Sequence, residues 1–394
     1  MNPLLHPAVQ KYIKDHEDDD EKELLLRHKS ILGLPARMIA EQIIGRRKAK
    51  LKLPEIYRCD NLLYPPSLNI EQCSSEATAR FKSQLIKGAS MVDLSGGFGI
   101  DSYYFSKVMD KLTYVEPDEN LLEIAKHNHQ QLGSTNISHI GSTAEAFING
   151  CISTFDYCYI DPSRRKNNQK VFKLADCSPD VPTLLPLLQR NCKTIILKAS
   201  PLLDIQQGIR DLQNVKGVFI VAVDNECKEL LFLIEPGYHD LAKYITVDIN
   251  HEGQIENQFE FSLSEEQNAE VHYSDPLTYL YEPFSSLMKA GAFKLLTRRF
   301  DLRKLAVNTH LYTSEKPNLS FPGKIFLVDA LTKADAKSLR KLLPDRKANV
   351  LTRNYPLSAA SLKQKLGVKD GGPNFLIGFS GKHKKFLALA HRIK

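Results

Sequence analysis

Two residue runs in this chain are built for chemistry. The first, Met91-Val-Asp-Leu-Ser-Gly-Gly-Phe-Gly-Ile-Asp101, reads as a strand that breaks into a glycine turn and then opens a helix. Glycines without Cβ let the backbone touch a ligand and adopt positive φ. Ser95, Gly96, Gly97 and Gly99 are therefore a candidate cradle for a nucleotide-like ligand, with Asp93 at the strand end to orient its polar groups. The second run, Tyr157-Cys-Tyr-Ile-Asp-Pro-Ser-Arg-Arg165, ends another apolar strand. Asp161 before Pro162 sets a carboxylate at the edge where open α/β sheets bind ligands. Asp161 can take a proton or hydrogen bond from an attacking nitrogen or hydroxyl. Arg164 and Arg165, next to Ser163, can hold a phosphate. The plainer alternative is a turn aspartate beside solvated arginines.

Further candidates fall at matching positions. Glu116 ends Leu112-Thr-Tyr-Val-Glu116, 17 residues after Gly99 and followed by Pro117. An acid there grips ribose hydroxyls in Rossmann-like sites, although a surface glutamate is the bland reading. Thr143 and Glu145, in Gly141-Ser-Thr-Ala-Glu145, are candidates to meet a base amino group or simply to cap a helix. Lys198 and Ser200, in Ile196-Leu-Lys-Ala-Ser-Pro201, belong to the same edge as Asp161. A lysine closing an apolar strand often only snorkels. Arg46 and Arg47 lead a basic run with Lys48, Lys50 and Lys52 and are candidate phosphate contacts.

Positioning these residues requires an α/β fold. Short β-branched runs at 90–94, 112–116, 137–140, 155–160, 193–198, 217–223 and 228–235 alternate with helical stretches, the pattern of a parallel sheet. The last two are joined only by Asp224-Asn225-Glu226-Cys227, too short for a parallel crossover, so they form an antiparallel hairpin. Nicotinamide dehydrogenases lack that hairpin. The absent third glycine of GxGxxG suits a ligand without a pyrophosphate. Together with Glu116 and Asp161-Pro162, these features narrow the ligand to S-adenosylmethionine.

The remaining chain divides by composition. We expect a helical domain over 1–75, a cofactor domain over 76–238, a linker and smaller unit over 239–320, and an α+β domain over 321–394. At the boundary between the first two, Ser74 or Ser75 can cap a helix running to about Ile86. Residues 242–262 alternate weakly, as one or two strands, and 276–311 read as helical and basic. From Phe321 a strand at 324–328, helix at 333–342, strand at 348–352, helix at 358–366 and hairpin at 375–379 and 386–391 are expected.

Apolar content of 42% with 25% charged residues describes a globular chain. There is no 18-residue apolar run and no signal-peptide pattern, so a cytoplasmic location without membrane contact is expected. The seven scattered cysteines make no CxxC pair, and no metal site is expected. Residues 283–394 hold 23 Lys/Arg against 6 Asp/Glu, a net of +17, whereas 76–282 carry a net of −11. A basic third beside an acidic middle points to a polyanion grip, RNA in particular, attached to a working domain. A solvated lysine-rich surface is the alternative.

Several runs together resemble one family. Pro65-Pro-Ser-Leu-Asn-Ile-Glu-Gln-Cys-Ser-Ser-Glu76, Asp93 to Asp101, Asp161-Pro-Ser-Arg-Arg165, Lys198-Ala-Ser-Pro-Leu-Leu-Asp204 and Glu226-Cys-Lys-Glu-Leu-Leu231 resemble the class I S-adenosylmethionine-dependent methyltransferases with a C-terminal THUMP-like domain. Phe321-Pro-Gly, Arg353-Asn-Tyr-Pro356 and Lys369-Asp-Gly-Gly372 resemble that family's C-terminal motifs. The resemblance spans nearly the whole chain. It implies a Rossmann-like sheet, a small ferredoxin-like unit before the THUMP-like domain and, by analogy with THUMP proteins, an RNA substrate.

Departures from related motifs limit the chemistry. Enzymes that methylate exocyclic amines carry Asp/Asn-Pro-Pro-aromatic; here Ser163 and Arg164 stand in the last two places, which removes the stacking partner for a flipped base. Position 199 is Ala and no Pro-Cys follows Asp161, which disfavours a cysteine nucleophile. The leading expectation is methyl transfer to tRNA or rRNA, with Asp161, Arg164 and Lys198 catalytic and Ser163, Arg165, Ser200, Arg46 and Arg47 binding substrate. The alternatives are a small-molecule or protein methyltransferase, or an RNA-binding protein that holds the cofactor without turnover.

Overall fold

The computed structural model describes residues 2–163, 165–166, 169–170 and 174–394, and the side chains at 165, 166, 169 and 170 lie outside that description. The chain forms two units: Met1–Asp224 with Lys228–Ala242 and Ile249–Glu256, and Asn225–Cys227 with Lys243–Asp248 and Asn257–Lys394.

The first unit opens with helices α1 (Pro7–Asp15), α2 (Glu21–Arg27), α3 (Ala36–Lys52), α4 (Pro54–Tyr57), α5 (Ser67–Gln72) and α6 (Glu76–Gln84). Ser75 caps α6, its Oγ accepting from the Thr78 amide at 3.3 Å. Helices α3 to α6 share a core with the glycine turn. Leu53, Ile56, Tyr64 and Ile70 pack in one cluster with Phe98, Ile100 and Tyr103. Full burial of each large apolar side chain is worth about 1.5–3 kcal/mol, so the helical segment and the turn are energetically tied.

Next come β1 (Gly88–Asp93), α7 (Ile100–Ser106), β2 (Met109–Val115), α8 (Glu119–Gln131), β3 (Ile137–Ile140), α9 (Ala144–Gly150), β4 (Phe155–Ile160), α10 (Val181–Asn191), β5 (Cys192–Ala199), α11 (Ile205–Leu212), β6 (Val215–Val223) and β7 (Glu226–Ile234). The strands lie in the order β6-β7-β5-β4-β1-β2-β3. Pairs β3–β2, β2–β1, β1–β4 and β4–β5 are parallel, and β7 runs antiparallel to β5. Asp224 and Asn225, both at positive φ, make the tight turn between β6 and β7. The expected hairpin is present, and order reverses between β1 and β4, the crevice where α/β sheets bind ligands.

Residues 243–262 form two neighbouring strands, β8 (Lys243–Ile249) and β9 (Ile255–Ser262). The expected helix over 276–311 is overturned. That stretch folds as β10 (Tyr279–Pro283), short helices Ser285–Ala290 and Leu295–Arg299, β11 (Arg303–Ala306) and β12 (Thr309–Ser314). Gly291 at φ 78° ends the first of those helices, and Leu280 and Leu311 bury as strand residues. Then follow β13 (Gly323–Thr332), a helix at Ala336–Leu342, β14 (Asn349–Arg353), a helix at Ala359–Leu366, β15 (Asn374–Ser380) and β16 (Lys385–Arg392). The sheet of the second unit runs β11-β12-β10-β13-β16-β15-β14, with only β14–β15 parallel among the described pairs. Leu339, Leu343, Leu362 and Leu366 cover Leu376, Leu387 and Leu389 on one face of it.

Candidate active site

A cavity of about 680 Å³ lies at the carboxyl edge of the first unit's sheet. It is lined by the glycine turn, Glu116, Pro117, Thr143 and Glu145 on one side, and by Asp161, Pro162, Ser163, Lys198 and Ser200 on the other. The glycine turn, Glu116, Thr143, Glu145, Asp161, Ser163, Lys198 and Ser200, predicted separately from sequence, thus meet around one space.

The glycine turn is shaped by close contact. A Cβ on Gly96 would sit 2.4 Å from the Tyr114 ring, and one on Gly99 would sit 2.7 Å from His129 Nε2. Gly97 and Gly99 have φ of 55° and 79°, the region that side chains avoid. Tyr114 donates its hydroxyl to the Gly97 carbonyl at 2.6 Å. His129 Nε2 bonds the Gly99 carbonyl at 2.8 Å, and burial pushes its pKa down to about 4, keeping the ring neutral.

Carboxylates flank the turn. Asp93 is buried and accepts from the Ser95 amide at 3.0 Å, the Ser95 hydroxyl at 3.2 Å and the Ser102 hydroxyl at 2.6 Å. Burial still wins and raises its pKa to about 7, against those hydrogen bonds. Glu116 accepts from the Gly97 amide at 2.7 Å and the Asp118 amide at 2.9 Å, leaving lone pairs for a ligand. A backbone cradle beside two acids suits hydroxyls and a sulfonium cation and repels a pyrophosphate. These residues therefore fit S-adenosylmethionine. Thr143 Oγ1 caps α9, accepting from Ala146 N at 3.1 Å, while remaining on the cavity wall.

The opposite side is a charge network. Lys198 Nζ lies 2.5 Å from Asp161 Oδ2 and 3.3 Å from Ser74 Oγ. Ser74 donates to Asp101 Oδ2 at 2.7 Å and accepts from Lys82 Nζ at 2.9 Å. Lys82 reaches Glu229 at 3.0 Å and Asp101 at 3.2 Å. The Tyr159 hydroxyl donates to Asp101 at 2.8 Å. Burial alone would lower the pKa of Lys198, but Asp161, Glu229 and Asp101 outweigh it and raise the pKa, so the group stays cationic. Burial likewise opposes ionisation of Asp101, and Lys82 and Lys198 outweigh it, so its pKa falls. The Asp161 amide donates to Ser95 Oγ at 2.7 Å, which links this network to the glycine turn.

Lys198 is thus ion-paired rather than snorkelling into solvent. Lys82, Glu229, Ser74 and Asp101 escaped the site prediction. Their signal was a charged residue at a core position, Lys82 beside Phe81 in α6 and Glu229 before Leu230 in β7.

Arg46 and Arg47 belong elsewhere. Arg46 Nε pairs with Glu17 at 2.8 Å and stacks on Tyr57 at 4.4 Å, while Arg47 bonds Glu21 at 3.0 Å and the Asp19 carbonyl at 2.6 Å. Neither lines the cavity. Acids upstream in the chain use their hydrogen-bonding capacity, so their expected role as substrate contacts is not what this packing favours. Arg164 and the side chain of Arg165 lie outside the described residues. Ser163 and Ser178 exchange backbone hydrogen bonds at 2.8 and 3.0 Å on the cavity rim.

The comparisons bear on the whole chain. It is 30% identical to a Porphyromonas gingivalis W83 protein assigned as a methyltransferase, whose crystal structure superposes with a TM-score of 0.88 over 98% of each chain. A ferredoxin-like domain family matches residues 279–322, and a THUMP domain-like family matches 323–392. The chain belongs to the class I methyltransferases with a C-terminal THUMP-like domain. Two uncharacterized S-adenosylmethionine-dependent methyltransferases from strains of Mycobacterium tuberculosis are each 26% identical over 180 residues, 44% of this chain. The chain spans about half, 48%, of the length of those curated relatives. S-adenosylmethionine is the cofactor of this methyltransferase family. No described helix is long and apolar enough to cross a membrane.

Three outcomes follow for the methyltransferase unit. Lys82→Met strands two buried carboxylates and should cost about 3–5 kcal/mol, read from urea unfolding. Gly96→Ala overpacks Tyr114 and should cost about 1–3 kcal/mol in the same assay. Asp93, with its raised pKa, contributes stability below its ordinary value of 3.8 that is lost as pH rises through about 7. Asp93→Asn should therefore gain thermal stability over the native protein at about pH 8 and lose that advantage by about pH 4.

Proposed function

We propose that this chain transfers the methyl group of S-adenosylmethionine to RNA. The observation that carries the methyl-transfer part is the single cavity that joins the glycine turn to the Asp161–Lys198 pair. Gly96, Gly97, Gly99, Ser95, Asp93, Glu116 and Pro117 would hold the cofactor, with Thr143 and Glu145 toward its base. When bound, the cofactor supplies an electrophilic methyl on sulfur.

The chain's own residues do the rest. The turn fixes the cofactor by backbone contact, so that an acceptor meets the methyl in one orientation, and positioning of this kind supplies much of a transferase's rate. Asp161 orients the acceptor and takes its proton, and Lys198 holds that carboxylate in place. Ser163 and Ser200 lie on the same wall and contact the acceptor's surroundings. RNA is favoured by the THUMP domain-like match over 323–392 together with the 23 Lys/Arg against 6 Asp/Glu of residues 283–394. An RNA backbone is the polyanion such a surface meets.

Two measurements test this reading. Nucleosides from cells with and without the gene should differ in one methylated species; identical profiles contradict an RNA substrate. RNA binding by the purified protein should weaken at least about tenfold between roughly 50 and 200 mM salt, as released counterions require. A salt-insensitive or undetectable interaction at low salt favours a small-molecule or protein acceptor.

A further inference from the structure

We infer that the acceptor atom is a hydroxyl oxygen, the ribose 2′-hydroxyl of RNA, received between Lys198 and Asp161; this rests on the RNA reading above. The network runs from the core to the cavity and contains two ammonium groups, Lys82 and Lys198, and three carboxylates, Asp101, Asp161 and Glu229, joined through Ser74. Of these, Lys198, Asp161, Ser74 and Asp101 line the cavity, whereas Lys82 and Glu229 stand behind them. An acceptor therefore meets a cation and a carboxylate side by side.

Lys198 spends one N–H on Asp161 Oδ2 at 2.5 Å and one on Ser74 Oγ at 3.3 Å. That leaves its third N–H and Asp161 Oδ1 for the cavity among the described residues. A hydroxyl group needs that pair. Its O–H donates to Asp161 while its lone pair accepts from Lys198. In the transfer, the O–H bond breaks and its proton passes to the Asp161 carboxylate. The new O–C bond takes the methyl carbon, whose old bond to sulfur breaks with its electron pair left on sulfur. Negative charge that develops on the oxygen faces a lysine already held cationic.

A base amine fits less well. An exocyclic nitrogen turns cationic as it takes the methyl and loses its proton afterwards, so an adjacent ammonium opposes it. A flipped base also wants a flat partner. Phe98 is the one aromatic among the described lining residues, and it is 5% exposed. A ribose hydroxyl lies on the backbone and needs no base extruded. Lys82 and Glu229 are positioning residues in this scheme, acting through Ser74 and Asp101 on Lys198.

The test uses the full chain, methyl-labelled S-adenosylmethionine and total RNA from cells that lack the gene. The labelled RNA is hydrolysed with alkali, which cannot cut beside a 2′-O-methyl group. Label in alkali-stable dinucleotides is the expected result. Label in base-methylated mononucleotides overturns the hydroxyl assignment and leaves the RNA reading standing. No label in RNA, with cofactor binding shown by calorimetry, overturns the RNA reading and this inference with it. Lys198→Met should cut turnover about 10²–10³-fold, the range for removing one group that stabilises developing negative charge, while calorimetric cofactor affinity stays within about threefold. A loss of cofactor affinity instead would assign Lys198 to the cofactor and overturn its role here. Asp161→Asn, which keeps the side-chain shape, should show the same pattern if Lys198→Met fails to fold.

Discussion

A fully buried ammonium group constrains this active site more than any other feature. Lys82 has no exposed surface, and a charge taken out of water costs several kcal/mol unless carboxylates and hydrogen bonds replace the solvent. Glu229, Asp101 and Ser74 supply that replacement. They come from β7, α7 and the segment that leads into α6, so the demand of one ammonium brings three separate elements to the edge of β5. Lys198 and Asp161 then complete the charge balance at the surface of the cavity. Geometry at the acceptor side is thus inherited from a constraint inside the core.

The cavity is divided by electrostatics. Near the glycine turn, Asp93 and Glu116 make the wall acidic, and among the described residues they accept from amides and hydroxyls rather than from a cation. Across from them, a lysine and an aspartate are locked together. A cofactor with hydroxyls and a positive sulfur suits the first wall, and a group that gives up a proton suits the second. The hydrogen bond from the Asp161 amide to Ser95 Oγ couples the two walls directly. Displacement of the glycine turn would therefore shift Asp161 as well.

Much of the fold was legible because its signals are local. Buried parallel strands read as short apolar runs, and each of the seven expected strands is present. The hairpin between β6 and β7 followed from a turn too short for anything else. The stretch 276–311 was misread because its strands are only four to six residues long, interrupted by lysines and arginines that imitate a helical surface. The site was half legible. Asp161 and Lys198 announced themselves as polar residues ending apolar strands. Their supports did not, because Lys82 and Glu229 are 147 positions apart and no spacing rule joins them. The ion pair of Arg46 was hidden for the same reason, since its partner Glu17 lies 29 positions upstream.

On the proposed reading one cavity receives both cofactor and acceptor, and the rest of the scheme stands on the cofactor. Calorimetric titration of the purified chain with S-adenosylmethionine, and separately with NADH, tests it most directly. Saturable one-site binding of S-adenosylmethionine and none of NADH is the expected result. Binding of NADH with no heat from S-adenosylmethionine would contradict it.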